Sequence, residues 1–191
     1  MTVTRDDVLR ELLGGLWHTT PPDRLEMILR SAAILPEPGI PDNERWSTFE
    51  GPKFYPYVRT IGGVSLFDFD GFEPESYGRK HPMSSWSYFV PYRRDWRIAV
   101  WIEIDRQLVA RNIIASQDLA AQQNATGAHR HKRMPQIEVA HLGPVPRAAF
   151  TRLPGARRRQ RTACPGMLTL SLGLLAELPP CGPAADNNGR R

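Results

Sequence analysis

The 191-residue sequence predicts an α+β fold of short strands, short helices and long loops, closed by a tail of different character. Three observations predict it. Apolar residues recur at helical spacing over residues 5–15 and 22–33, on either side of the short apolar run Leu16–Thr19. Strict alternation marks a strand within Trp96–Arg106, where Ile98, Val100, Ile102 and Ile104 interleave with Arg97, Ala99, Trp101, Glu103 and Asp105. Proline and glycine punctuate two long stretches, 35–56 and 70–91, that regular structure does not tolerate well.

Taken in order, residues 5–15 read as an amphipathic helix capped by Thr4 and closed by Gly14-Gly15. Leu16 to Thr19 is the first strand. Thr20 is placed to cap the next helix, Pro21 to open it and Asp23 to meet the dipole of its first turn. Leu25, Ile28 and Leu29 give that helix one apolar stripe. The strand-to-helix junction therefore gathers His18, Thr19, Thr20 and free amides, which is either a capped helix with a half-buried histidine or a place to hold a nucleotide.

The loop 35–56 carries Trp46, Phe49, Phe54 and Tyr55, with Tyr57 just beyond, and one turn is expected over Asn43–Ser47. So aromatic a loop is either an ordered flap over a substrate or packing over the core. Val58–Phe69 contains the second strand, with Val64 and Leu66 on one face and Ser65 on the other. Gly62-Gly63 before it marks either a tight bend or a close approach to a ligand. Residues 70–91 are loop with a helical turn near Ser84–Phe89, and residues 107–134 are loop with a short helix around Ser116–Gln123. In Gln136–His141, Ile137, Val139 and His141 share one face while Gln136, Glu138 and Ala140 share the other. Gly143-Pro144-Val145-Pro146 ends that strand, and Ala148-Ala149-Phe150 begins the last packed segment.

In this order, three stretches resemble the ADP-ribosyltransferase superfamily. They are His18-Thr19-Thr20 ahead of a helix reading Leu25-x-x-Ile28-Leu29, the strand Gly62-Gly63-Val64-Ser65-Leu66-Phe67, and Gln136-Ile137-Glu138-Val139. The likeness is to its diphtheria-toxin-like branch and to bacterial toxins that modify DNA, and spans roughly residues 14 to 152. It implies a split β-sheet core and NAD as co-substrate, with transfer of ADP-ribose to a macromolecular acceptor: protein, DNA or RNA. It implies Glu138 as the catalytic carboxylate and His18 as the residue holding a ribose hydroxyl. Thr19, Thr20, Gly63 and Ser65 would help to bind NAD, with Arg59 or Arg133 on the pyrophosphate. The strand lacks a tyrosine, so the wall for nicotinamide falls to Tyr55, Tyr57 or Phe67. Glu103 is the rival carboxylate, expected to be solvated. Toxicity and an antitoxin or immunity partner are implied by resemblance alone.

Two other readings stand beside it. A 2′-phosphotransferase acting on RNA would use the same fold with an Arg-His-Arg-Arg set, but Trp17 rather than Arg precedes His18. A catalytically silent binding or immunity module would use the aromatic loop and the basic tail, and would tolerate loss of Glu138.

Charge narrows these choices less than the net +5 suggests. Residues 153–191 hold six arginines against Glu177 and Asp186, so residues 1–152 carry only about +1. The folded domain expected over 1–152 is thus nearly neutral, with local basic patches at Arg93-Arg94 and His129–Arg133. The tail, 153–191, is expected to be disordered. Both cysteines, Cys164 and Cys181, lie in it, which excludes a cysteine nucleophile or Cys-rich zinc site from the body. No apolar run reaches membrane-spanning length and no signal peptide opens the chain, so a cytoplasmic protein without a membrane partner is expected.

Overall fold

A computed structural model describes residues 4–46, 48, 50–84, 86–90, 98–157 and 168–170. The fold is mixed, with short helices around a wholly antiparallel sheet. In chain order the elements are α1 (Arg5–Leu12), β1 (Leu16–Thr20), α2 (Pro22–Ser31), β2 (Ala33–Ile34), α3 (Tyr57–Thr60), β3 (Gly63–Asp68), α4 (Pro74–Lys80), α5 (Trp86–Phe89), β4 (Ile98–Ile104), α6 (Arg106–Val109), β5 (Ile113–Ile114), α7 (Ser116–Ala125), β6 (Glu138–Leu142), β7 (Val145–Pro146), β8 (Phe150–Arg157) and β9 (Leu168–Leu170). The main sheet runs β5-β6-β3-β1-β4-β8-β9, and β2 pairs with β7 apart from it. Among the described residues no helix is long and apolar enough to cross a membrane.

The amphipathic patterns explain how the layers assemble. On one face of the sheet, Leu16, Val64, Leu66, Val100, Ile102 and Val139 meet Leu25 and Ile28 of α2. On the other, Trp17, Phe67, Phe69 and Trp101 pack against Val8, Leu9 and Leu12 of α1. Thr4 caps α1 as expected, in a reciprocal capping box with Asp7. The cap of α2 differs from expectation. Thr20 remains in the strand, buried, and Pro21 takes the N-cap position without a side-chain bond. Pro22 then opens the helix, because a proline there loses no needed N–H.

The feature that positions the site lies between β1 and β3. Their ladder consists of two pairs, Leu16↔Asp68 and Trp17↔Phe67. Beyond them β1 stays with β4 through Thr20↔Val100, and β3 stays with β6 back to Gly63↔Leu142. The central strands therefore part after Trp17, leaving a fork inside the sheet.

At the other edge, the domain boundary expected after residue 152 falls inside a strand. β8 continues to Arg157 along β4, and β9 pairs with it at Leu153↔Leu170 and Gly155↔Leu168. Backbone pairing thus holds a neighbouring strand well past the place where composition changes. The remainder of the tail lies outside the described residues, as do Arg93-Arg94 and both cysteines.

Candidate active site

A cleft of about 300 Å³ opens at the fork, roofed by α2 and the 35–48 loop. Its lining includes His18, Thr19 and Thr20 from β1, Gly63, Ser65 and Phe67 from β3, Glu138 from β6, and Arg59 from α3. Eight of the eleven residues named in the sequence for catalysis or NAD binding thus border one space. Arg133, Tyr55 and Tyr57 do not. The Tyr57 ring is buried with Val58, Leu119 and Ala140, because α3 turns that side toward α7.

Glu138 is 1% exposed, at the start of β6. Its carboxylate accepts the Ser65 hydroxyl on Oε1 at 2.6 Å and the Met134 backbone N–H on Oε2 at 2.6 Å. Ser65 sits opposite Ala140, so pleating puts it on the Glu138 face of the strand pair. Met134 is brought round by a turn in which Gln136 adopts φ of 60°, a left-handed conformation costly for a residue with a Cβ. Burial pushes the Glu138 carboxyl above its ordinary range, while Ser65, Met134 and the charge of Arg133 pull it back. The site holds an oriented carboxylate in an apolar place.

His18 meets the same group from across the fork. Its Nδ1 is 3.2 Å from the Ser65 carbonyl oxygen, which only accepts, so Nδ1 carries the proton. Nε2 is then left as an acceptor. Desolvation holds the imidazole pKa down at about 4, against an ordinary 6.5, despite the bond to Ser65. Ser65 therefore joins two of the predicted residues, using its carbonyl for His18 and its hydroxyl for Glu138.

Next to His18, the Thr19 hydroxyl is buried without a hydrogen-bond partner among the described residues. An orphaned buried hydroxyl costs about 1–3 kcal/mol, which a ligand hydroxyl in the cleft would recover. Gly63 has a simpler explanation than ligand approach. A Cβ there would lie 2.9 Å from Val58 Cγ1 and 3.1 Å from the Val58 carbonyl, so the close neighbour is α3.

The cations are arranged differently from expectation. Arg59 borders the cleft, but its guanidinium is engaged by Glu37 at 2.8 Å and Asp42 at 2.7 Å and lies 3.8 Å over the Tyr55 ring. Arg45 joins the same Glu37 at 2.7 Å. The Tyr55 hydroxyl donates to Asp42, and that bond with Arg59 holds the Asp42 carboxyl below its usual range. These contacts fasten the aromatic loop as an ordered flap. Arg133 is outside the cleft, with Nε donating to Gln123 Oε1 at 3.1 Å. Glu103, the rival carboxylate, lies on β4, three strands away from Glu138 and outside the cleft, bound to Arg152 and Thr151.

Sequence reasoning named Trp46 only as one ring of the aromatic loop and gave Phe89 no place at the site. Trp46 and Phe89 border the cleft beside Phe67, with Trp46–Phe89 centroids 5.2 Å apart and Phe67–Phe89 centroids 5.4 Å apart. Both lie in single turns expected within longer loops, too short for a period to tell an inward ring from an outward one. The Met134 amide was equally unreadable, since a backbone donor leaves no mark in the sequence. Compared with known proteins, the chain matches no protein-family model, no curated protein and no solved structure.

Proposed function

We propose that the protein is an NAD-dependent mono-ADP-ribosyltransferase, breaking the nicotinamide–ribose bond and passing ADP-ribose to a macromolecular acceptor on a split-sheet core of that superfamily. One observation carries the reading. His18 and Glu138, chosen from separate stretches of sequence, are each hydrogen-bonded to Ser65, chosen from a third, at a single cleft in the sheet.

The chemistry asks for a grip on the dinucleotide, a wall for nicotinamide and negative charge beside the ribose. When the bond breaks, its electron pair leaves with nicotinamide and the ribose acquires oxocarbenium character. The Glu138 carboxylate supplies the opposing charge, oriented by Ser65 and Met134 before any substrate arrives. A cationic nicotinamide ring nearby favours the ionised carboxylate that burial disfavours, so substrate and site adjust each other. The neutral His18 ring offers Nε2 to a ribose hydroxyl, and the Thr19 hydroxyl lacks the partner that such a ligand brings. Phe67, Phe89 and Trp46 provide flat faces for the leaving ring. Arg59 reaches a pyrophosphate by exchanging Glu37 or Asp42 for it, a trade of one anion for another.

The test is nicotinamide release from NAD by the purified protein. Glu138→Gln, which keeps the shape and loses the charge, is expected to slow release by about 10²–10³. NAD at a hundred times its dissociation constant is expected to stabilise the fold by about 2.7 kcal/mol. Equal release from Glu138→Gln, or no release and no shift in melting temperature, overturns the reading.

A further inference from the structure

Among the described residues three buried side-chain polar atoms have no hydrogen-bond partner: Thr19 Oγ1, His81 Nε2 and Ser116 Oγ. Thr19 belongs to the cleft. The other two border one separate space of about 690 Å³, between α6, the first turn of α7, the end of α4 and the turn that leads into β6. It shares no lining residue with the cleft and has the size of a small-molecule site. A buried polar atom left unpaired destabilises the empty protein, and a ligand that pairs it removes that cost. Two such atoms at one pocket point to an occupant.

The charges around the pocket favour an anion. Its charged residues are Asp68, Arg106 and Arg133. Asp68 is already held through both oxygens by Arg106, at 2.6 and 2.9 Å. Arg133 gives Nε to the Gln123 amide oxygen, and no carboxylate lies within ion-pair reach of it among the described residues. Its remaining N–H groups form the fork that grips a phosphoryl group through two bonds. The Ser116 hydroxyl stands at the start of α7, whose N-cap, Ala115, supplies no side-chain bond, so the amides of the first turn keep their hydrogens for a ligand. Rotation about χ1 turns that hydroxyl toward the pocket. Leu16, Ile113 and Val139 make the rest of the wall apolar, a surface that a bare ion leaves uncovered and a ring-sized organic body covers.

One turn divides this pocket from the cleft and faces both. Met134 lines the cleft and gives its N–H to Glu138, whereas Arg133, Pro135 and Gln136 line the pocket. The charge of Arg133 is also one of the influences that keep the buried Glu138 carboxyl ionised. An anion that engages Arg133 neutralises that charge.

We infer that this pocket binds a small organic phosphate, with its phosphoryl group on Arg133, Ser116 and the first amides of α7, and that the bound ligand slows the chemistry at Glu138. The slowing rests on the proposed transferase activity, whereas the binding does not.

The experiment titrates phenyl phosphate, inorganic phosphate and phenol into the full chain without NAD, read by calorimetry. Phenyl phosphate is expected to bind at one site, about tenfold tighter than inorganic phosphate, with phenol weaker than either. Ser116→Asp and Gln117→Glu each bring a carboxylate to the pocket at a first-turn position that favours one, so both should melt no lower than the parent. Each is expected to weaken phenyl phosphate by about twentyfold. No binding of phenyl phosphate overturns the inference, as does binding no tighter than that of inorganic phosphate or phenol, or binding that both variants leave unchanged. A second arm follows nicotinamide release from NAD with and without saturating phenyl phosphate. A kcat lowered about fivefold with an unchanged KM for NAD supports the inference. A raised KM with an unchanged kcat puts the ligand in the cleft and overturns it, and an unchanged kcat and KM overturns the slowing. Selective phenyl phosphate binding by a chain that releases no nicotinamide supports the pocket and overturns the transferase.

Discussion

His18 and Glu138 are displaced from their ordinary protonation behaviour in opposite senses, and each leaves a separate trace in stability. The His18 pKa is lowered, from 6.5 to about 4, so the folded chain binds fewer protons than the unfolded one in between. Its contribution is complete above 6.5 and is lost as the pH falls toward 4. Thermal melts from pH 7.5 to 4 should therefore show a steeper acid loss in the parent than in His18→Asn. Glu138 has the reverse sign. Burial raises its pKa, so its contribution is complete below the ordinary carboxylate value and lost as the pH rises. Glu138→Gln, whose amide can keep both the Ser65 and Met134 bonds, is expected to melt a few degrees higher than the parent at pH 7. The gap should close near pH 4, and a variant that melts lower at both pH values would refute it. Gain of stability with loss of turnover is the usual signature of a group retained for function.

Helices and strands show where the pattern was informative and where it failed. The stripe of α2 places that helix because one face of it is buried, whereas β4 is buried on both faces, Val100, Ile102 and Ile104 on one and Trp101 on the other, and was legible from its β-branched run. α4 was missed because Pro74 and Gly78 look like loop residues, although proline at the first helical position followed by Glu75 is a legitimate start. The end of β1 was misjudged by one residue because a threonine before two prolines satisfies a strand and a cap equally well. The turn from α1 into β1 carries the tightest constraint. A Cβ on Gly15 would lie 2.2 Å from Trp17 Nε1, whose N–H donates to the Leu12 carbonyl at 2.8 Å inside the core. Gly15→Ala is expected to cost about 1–3 kcal/mol through displacement of that indole. Urea melts followed by tryptophan fluorescence will read it.

For the molecule as a whole, composition and backbone disagree about where the folded unit ends. The charge shift suggests residue 152, whereas the β4–β8 register continues through Ala99↔Ala156 and Ile98↔Arg157. Ending the chain after residue 152 strips β4 of that pairing and is expected to cost on the order of 3 kcal/mol, or about 10 °C in melting temperature. Ending it after Arg157 keeps the β4 ladder and should cost far less, a contrast that calorimetry resolves. The site was more legible than the boundary. His18, Ser65 and Glu138 were readable because each sits on a short periodic strand, where pleating fixes its face. Tyr57, Arg59, Trp46 and Phe89 belong to loops or single helical turns, whose directions are set by distant partners such as Glu37 and Leu119. The two-pair ladder between β1 and β3 has a mechanical meaning. The sheet behaves as two plates, β1-β4-β8-β9 and β3-β6-β5, sharing a join only two residues long. Torsion about that join changes the width of the fork without breaking a backbone ladder within either plate. The stitch that such a motion would strain is the bond from the His18 ring to Ser65, the side-chain tie across the open part of the fork.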